Sequence, residues 1–266
     1  MRKNLLIPLA FMALPTLCIA QSYDDLAQVD VLTGWRTAYG DHIAAIKITL
    51  APGWITYWRA PGDAGIPPQF QFSGSDSIES ITPHWPVPQV SFTDGIRSIG
   101  YYDSVIFPIT VDTNGDSGDI NVEGEIFIGV CEEICIPVTL GFAAVLPSSG
   151  APDGAISTAL DAEPLSEREA NVGDVTCTID PISDGLRVTT MIDVAQNGTA
   201  EFVVIEASDP SVWVSEADVL RDGKFLSATV DMVHPSGQPF AFDRSGVRIT
   251  VFGEDQAIDI WGCSAG

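Results

Sequence analysis

The sequence predicts an all-β protein built as two β-sandwiches in tandem, and three observations carry that prediction. Short segments that alternate apolar and polar side chains recur along nearly the whole chain, the pattern of strands with one buried face. Turn-forming dipeptides separate these segments at short intervals, which favours antiparallel sandwiches over βαβ units with their long helical crossovers. At 266 residues the chain is also long for one sandwich and suits two cores.

The elements follow in order. Arg2 and Lys3 precede an apolar run over 5–19 that ends in Cys18-Ile19-Ala20. This is the pattern of a secretory signal at residues 1–20, with Gln21 as the first mature residue. Leu17 before Cys18 argues against lipid attachment, so Cys18 is expected to leave with the signal. No later segment approaches 18 consecutive apolar residues, so the mature chain is expected to have no membrane span and to be soluble outside the cytoplasm. The signal removes two of the 12 basic residues and none of the 36 acidic ones, taking the charge to about −26. Such acidity disfavours nucleic acid and anionic membrane surfaces as partners and favours solubility.

Residues 45–50 alternate strictly, and similar strand patterns recur at 69–72, 105–111, 120–130, 138–145, 186–194, 201–207, 225–233 and 247–252. Pro52-Gly53, Pro61-Gly62-Asp63, Asn114-Gly115, Asn197-Gly198 and Asp222-Gly223 supply the turns. The pattern stops between Pro147 and Asn171. There Pro147-Ser148-Ser149-Gly150-Ala151-Pro152-Asp153-Gly154 reads as a linker, and 157–170 has room for one short helix. The expected layout is signal 1–20, first sandwich 21–146, linker 147–170 and second sandwich 171–266.

Four cysteines remain in the mature chain. In Cys131-Glu132-Glu133-Ile134-Cys135, a tight hairpin through the three middle residues would bring the thiols within bonding distance. A loop so small constrains the unfolded chain little, which makes the bridge a weak staple and points to a redox pair. A local structural disulfide and two unpaired buried thiols stay open as alternatives. Cys177 and Cys263 lie near the two ends of the C-terminal half in strand-like stretches and read as a structural bridge closing it.

Other motifs carry less. The stretch 53–65 sets Trp54, Tyr57 and Trp58 against a Gly/Pro-rich loop, which suits an aromatic wall with a cap but equally a core strand and an ordinary turn. Residues 112–119 with Glu123 imitate a calcium loop, but Ser117 stands where the sharp turn needs glycine, so an acidic hairpin turn is expected. Asn197-Gly198-Thr199 has the glycosylation pattern and is read as a hairpin turn. His42, His84 and His234 have no metal-ligand spacing, and there is no phosphate cradle or nucleophile elbow. No metal or cofactor is expected.

Gly53-Trp54-Ile55-Thr56-Tyr57-Trp58-Arg59-Ala60-Pro61-Gly62-Asp63-Ala64-Gly65-Ile66-Pro67-Pro68, Trp85-Pro86-Val87-Pro88, Ile99-Gly100-Tyr101 and Val130-Cys131-Glu132-Glu133-Ile134-Cys135-Ile136-Pro137-Val138 follow in order. Together they resemble the N-terminal periplasmic domain of the membrane disulfide reductases DsbD and, more closely, of ScsB, the suppressor of copper sensitivity. The resemblance implies an immunoglobulin-like redox domain in the periplasm, a protein-disulfide reductase-type module. It would take electrons from a membrane-embedded thiol transporter of the DsbD/CcdA kind and pass them to periplasmic thioredoxin-fold proteins. It further implies Cys131 and Cys135 as the catalytic pair, with Cys135 bonding the partner. Tyr57, Trp58, Arg59 and Asp63 become candidates for the shielding wall and cap, with Arg59 offsetting Glu132 and Glu133.

Those glutamates disfavour thiolate and so favour a reducing donor. ScsB-like proteins also carry a second sandwich, which would match 171–266 and is read as immunoglobulin-like too. The membrane domain and the thioredoxin-like domain of the full-length proteins are not found here, so their functions are expected from separate chains. Two readings of other classes compete: a scaffold module whose disulfides are both structural, and a copper-handling protein holding Cu(I) on two thiolates without a Met or His cluster.

Overall fold

The computed structural model describes residues 26–266 except 63, 64, 75, 76, 94, 114, 116, 238, 239 and 255. The expected signal, with Cys18 and Gln21, lies outside the described residues, as does Asp63. The first half contributes β1 (Ala27–Arg36), β2 (His42–Leu50), β3 (Ile55–Gly62), β4 (Gln69–Gly74), β5 (Ser80–Pro83), β6 (Gln89–Thr93), β7 (Ile96–Tyr102), β8 (Ser104–Asp112), β9 (Ile120–Cys131) and β10 (Cys135–Leu146). These form two sheets in the orders β1-β2-β8-β5 and β10-β9-β3-β7-β6, with β4 paired to β9. The second half contributes β11 (Leu165–Ser166), β12 (Val175–Pro181), β13 (Leu186–Asp193), β14 (Phe202–Glu206), β15 (Trp213–Val214), β16 (Asp218–Asp222), β17 (Phe225–Val233), β18 (Arg248–Phe252), β19 (Ala257–Trp261) and β20 (Ser264–Ala265). Its sheets run β11-β19-β18-β14 and β15-β17-β13-β12-β20, with β16 paired to β17.

The protein is all-β, with two immunoglobulin-like sandwiches in tandem, and each expected strand segment forms. Alternation does the sorting. Ile46 and Ile48 of β2, Phe107 and Ile109 of β8, Ile126 and Ile128 of β9 and Leu140 of β10 meet in the first core. Val188 and Ile192 of β13, Leu226, Ala228 and Val230 of β17 and Ile249 and Val251 of β18 meet in the second. Pairing is antiparallel except for the two-residue contacts of β11 with β19 and β12 with β20.

Two expected hairpin turns are crossings instead. The 112–119 stretch joins β8 to β9, and Asn197-Gly198 joins β13 to β14; in both cases the flanking strands belong to different sheets. Gly198 adopts φ +88° as the turn requires, while Asn197 is buried and donates from Nδ2 to the Gln256 carbonyl at 2.7 Å. A turn dipeptide specifies reversal of the chain but not the strand met afterwards.

The helix α1 (Gly154–Asp161) begins three residues before the expected stretch because Asp153 caps it, its Oδ1 accepting from Ala155 and Ile156. It buries Ile156 and Ala159. The backbone N–H of Val87 donates to the Ala162 carbonyl at 2.8 Å, and His84 Nδ1 lies 3.1 Å from Glu163. The stretch read as a linker is thus docked on the first sandwich.

The sheet β11-β19-β18-β14 is covered on both faces. Val203, Ile205, Ile249, Val251, Ile258 and Ile260 enter the second core, whereas Phe202, Val204, Phe252 and Ala257 pack with the first. On this second face the register places Phe202, Phe252 and Ala257 in one row, Val204, Thr250 and Asp259 in the next, and Glu206, Arg248 and Trp261 in the last. The fully buried Trp58 meets Phe252 edge-on at 5.3 Å between ring centroids. Beside it, Arg59 donates to Glu206 at 3.0 Å, to Thr250 Oγ1 at 3.0 Å and to Asp259 at 3.3 Å, and Arg248 pairs with the same Asp259 at 2.6 Å.

Burial holds the Glu206 carboxyl above its usual 4.5, against the downward pull of Arg59 and Arg248. The folded protein therefore binds this proton more tightly than the unfolded chain does. The contribution to stability is fully present below the unfolded value and is lost as pH rises through the folded one. Denaturant unfolding at a series of pH values should show that decline in the native protein and a flatter profile in Glu206→Gln. Identical profiles would mean that Glu206 titrates in the interface as it does in the unfolded chain.

Candidate functional site

β9 and β10 form one long hairpin, in unbroken antiparallel register from Leu146 opposite Ile120 to Cys135 opposite Cys131. The apolar alternation of both strands specifies that register, since a one-residue slip would turn the core face to solvent. The last pair of the ladder is the cysteine pair. Its Cα atoms lie 4.2 Å apart, and a disulfide joins the sulfurs. Glu132, Glu133 and Ile134 close the loop, with the Glu132 N–H donating to the Ile134 carbonyl at 3.3 Å. All three side chains project into solvent; Ile134 is 67% exposed.

The two cysteines are not equivalent. Cys131 is 3% exposed, packed with Ile55 and Tyr57 and against Tyr102. Cys135 is exposed. The neighbours come from strands distant in sequence: Ile55 of β3 stands opposite Cys131 of β9 on one side and Tyr102 of β7 on the other. The Tyr57 hydroxyl lies 3.4 Å from Cys135 Sγ. A disulfide sulfur carries no hydrogen, so Tyr57 is the donor. Burial pushes the Tyr57 phenol above its ordinary value, with a further upward contribution from Tyr102, which keeps it protonated as a donor.

The loop after β3 folds back over this face of the sheet. A Cβ added at Gly65 would stand 2.5 Å from the Tyr57 ring, so only glycine lets the loop lie against it. The Ile66 side chain covers Gly129 in the same way, 2.8 Å from where a Cβ would be. Tyr57 is therefore held between the sheet and the loop, with its hydroxyl directed at the exposed sulfur.

Of the residues singled out from the sequence, the structure brings together Cys131, Cys135, Tyr57, Glu132 and Glu133. Trp58 and Arg59 lie elsewhere, in the contact with the second sandwich. β3 pairs with β7 at Ile55, Thr56 and Tyr57 and again only at Gly62, with a register shift between. Past Tyr57 the register shifts, and Arg59 meets the second sandwich rather than the cysteine pair. Cys177 and Cys263 are bonded, with Cα atoms 5.7 Å apart, Cys177 within the second core and Cys263 packed against it. Ile55, Tyr102, Gly65 and Ile66 complete the site without having been singled out for it. Tyr102 follows the Ile99-Gly100-Tyr101 block, and strand alternation alone would have turned it to the face opposite Tyr101. Among the described residues no group of three or more His, Cys, Asp or Glu side chains is placed to hold a metal ion, and no helix is long and apolar enough to cross a membrane.

Residues 26–147 match a family described as thiol:disulfide interchange protein DsbD, N-terminal. The chain as a whole is similar to the crystal structure of the N-terminal periplasmic domain of ScsB from Proteus mirabilis. The identity is 23%, the TM-score is 0.69, and 93% of this chain and 97% of that chain are covered. At that identity the likeness is one of fold, and it extends over both sandwiches. No curated protein matches the chain.

The two bridges should respond differently to reductant. One closes a three-residue loop around an exposed sulfur, whereas Cys177 is fully buried and its bridge spans 86 positions. Alkylation after equilibration across a glutathione series should find Cys131 and Cys135 labelled first, with Cys177 and Cys263 protected. Equal resistance of both bridges would remove the basis for treating the hairpin pair as redox-active.

Proposed function

We propose that this chain is a periplasmic thiol:disulfide interchange protein working through Cys131 and Cys135, a reading supported by the match of residues 26–147 to the DsbD N-terminal family. The observation that carries the reading is the asymmetry of the pair. An exposed sulfur held on a rigid hairpin can meet a partner, while its buried mate stays in reserve to resolve the intermediate.

The chemistry balances as two successive exchanges. A thiolate of a membrane-embedded transporter of the DsbD/CcdA kind attacks Cys135 Sγ, the Cys131–Cys135 bond breaks, and Cys131 leaves as thiolate. The donor's second thiol then displaces Cys135, so that two electrons and two protons have passed and the pair is reduced. In the second exchange the Cys135 thiolate attacks the disulfide of a periplasmic thioredoxin-fold protein, and Cys131 resolves the mixed disulfide, releasing the reduced acceptor. Tyr57 stabilises negative charge on Cys135 in both directions by donating its hydrogen bond to the sulfur. The carboxylates of Glu132 and Glu133 act the other way, disfavouring thiolate and making the pair a stronger reductant.

Cys131→Ala leaves the exposed thiol without its resolving partner. In cells expressing the pathway it should accumulate a mixed disulfide with a thioredoxin-fold protein, detectable on non-reducing gels and by mass spectrometry. Cys135→Ala, with only the buried thiol, should capture much less. Capture by neither variant would favour a scaffold with two structural disulfides.

Replacing Glu132 and Glu133 with Gln should lower the Cys135 thiol pKa and make the pair more oxidising. Two charges at this range amount to about 1 kcal/mol in total, or about 20 mV for a two-electron couple. Because both side chains are exposed, the shift should shrink at high salt. An unchanged potential at low salt would mean that the glutamates serve only as a solvated turn.

A further inference from the structure

Three consecutive residues of β3 have three different partners. Tyr57 reaches the exposed sulfur of the hairpin, Trp58 fills the core against Phe252, and Arg59 enters the charged rows of the second sandwich. At about 3.3 Å per residue, Arg59 and Tyr57 are separated by only about 7 Å of backbone. The pairing of this segment in its sheet is irregular. β3 is in register with β7 at Ile55, Thr56 and Tyr57 and again at Gly62, with a register shift between. Across that irregularity Trp58 is anchored in the core and Arg59 in its ion pairs with Glu206 and Asp259.

The segment also feeds the loop whose Gly65 backs the Tyr57 ring. The other side of that loop, at Pro61, Pro67 and Pro68, borders a cleft of about 860 Å³ walled by β14 and residues 209–216 of the second sandwich. A second clamp closes the same cleft, since Arg97 of β7 pairs with Glu216 at 3.0 Å. The Arg59 side chain is only 9% exposed, and its Nη1 has no hydrogen-bond partner among the described residues. For adhesion alone, an apolar residue of similar volume would serve as well or better, because desolvating a guanidinium is costly. A planar donor fixed from several directions does define a position.

We propose that Arg59, held by Glu206, Thr250 and Asp259, is a positioning residue for the redox pair, and that the second sandwich thereby sets how Tyr57 addresses Cys135. This rests on the exchange role of Cys131 and Cys135 proposed above. The second sandwich becomes part of the redox unit: its charged rows fix the backbone from which the hydroxyl of Tyr57 projects. Loss of that hold lets Tyr57 leave the sulfur, and the Cys135 thiolate loses its donor.

The test is a thiol titration of the reduced protein, following thiolate absorbance for Tyr57→Phe, Glu206→Gln, Asp259→Asn and Thr250→Val, each alone and combined with Tyr57→Phe. Thr250→Val removes a hydrogen bond to Arg59 without changing charge and serves where a charge variant folds poorly. Tyr57→Phe should raise the Cys135 pKa by about one unit, about tenfold less thiolate at neutral pH. The second-sandwich variants should raise it in the same direction by about threefold in thiolate or more, and none should add to Tyr57→Phe. Variants that lower the unfolding midpoint but leave the thiol pKa unchanged would overturn the proposal, as would effects fully additive with Tyr57→Phe. The titration needs no partner, so failure of this coupling and failure of the exchange reading are told apart.

Discussion

The buried guanidinium of Arg59 is the constraint around which the two sandwiches are arranged. A charge taken out of water must meet counter-charges and acceptors in fixed positions, and here Glu206, Thr250 and Asp259 supply them from one face of a single sheet. That face is graded, from the apolar row of Phe202, Phe252 and Ala257 to the row of Glu206, Arg248 and Trp261. The apolar row gives the contact its area, and the charged rows give it its angle. A purely greasy contact would tolerate sliding; one that must also seat a guanidinium does not.

The cysteine hairpin obeys a different logic, since its position comes from within its own sheet. Twelve ladder pairs run from Ile120 to Cys131, and the alternating burial along both strands holds the cysteines at the end of that ladder. Local geometry thus presents the sulfur, while distant strands decide its surroundings. Ile55 and Tyr102 reach it across the sheet, and Tyr57 is pressed into place by the loop that follows β3.

This division explains what was legible in the sequence. Alternation and turn chemistry are local, so the strands and the cysteine hairpin could be read directly. Whether a reversal leads to a neighbouring strand or across to the facing sheet is not local, and the crossings at 112–119 and Asn197-Gly198 looked like hairpins for that reason. Arg59 misled in the same way. On a regular strand it would share the face of Tyr57, but the register shifts before Gly62 and its partners lie in the second sandwich. Val204 and Phe252 read as ordinary core residues, and nothing in their neighbourhood along the chain shows that the core they join belongs to the other sandwich. The early start of the helix was readable, since Asp153 is a standard cap ahead of it, but the Pro/Gly-rich composition around it favoured a linker.

The sheet covered on both faces bears on how such a chain can change over generations. A substitution at Arg59 leaves Glu206 without its ion-pair partner and Asp259 with Arg248 alone, and one at Glu206 or Asp259 leaves the cation short of an anion, so these positions drift most readily in concert. Exchanging one sandwich for a foreign one by recombination would strand the buried arginine at the seam. The two halves are therefore bound to a shared inheritance, and the second sandwich is under selection for as long as the first depends on the contact between them.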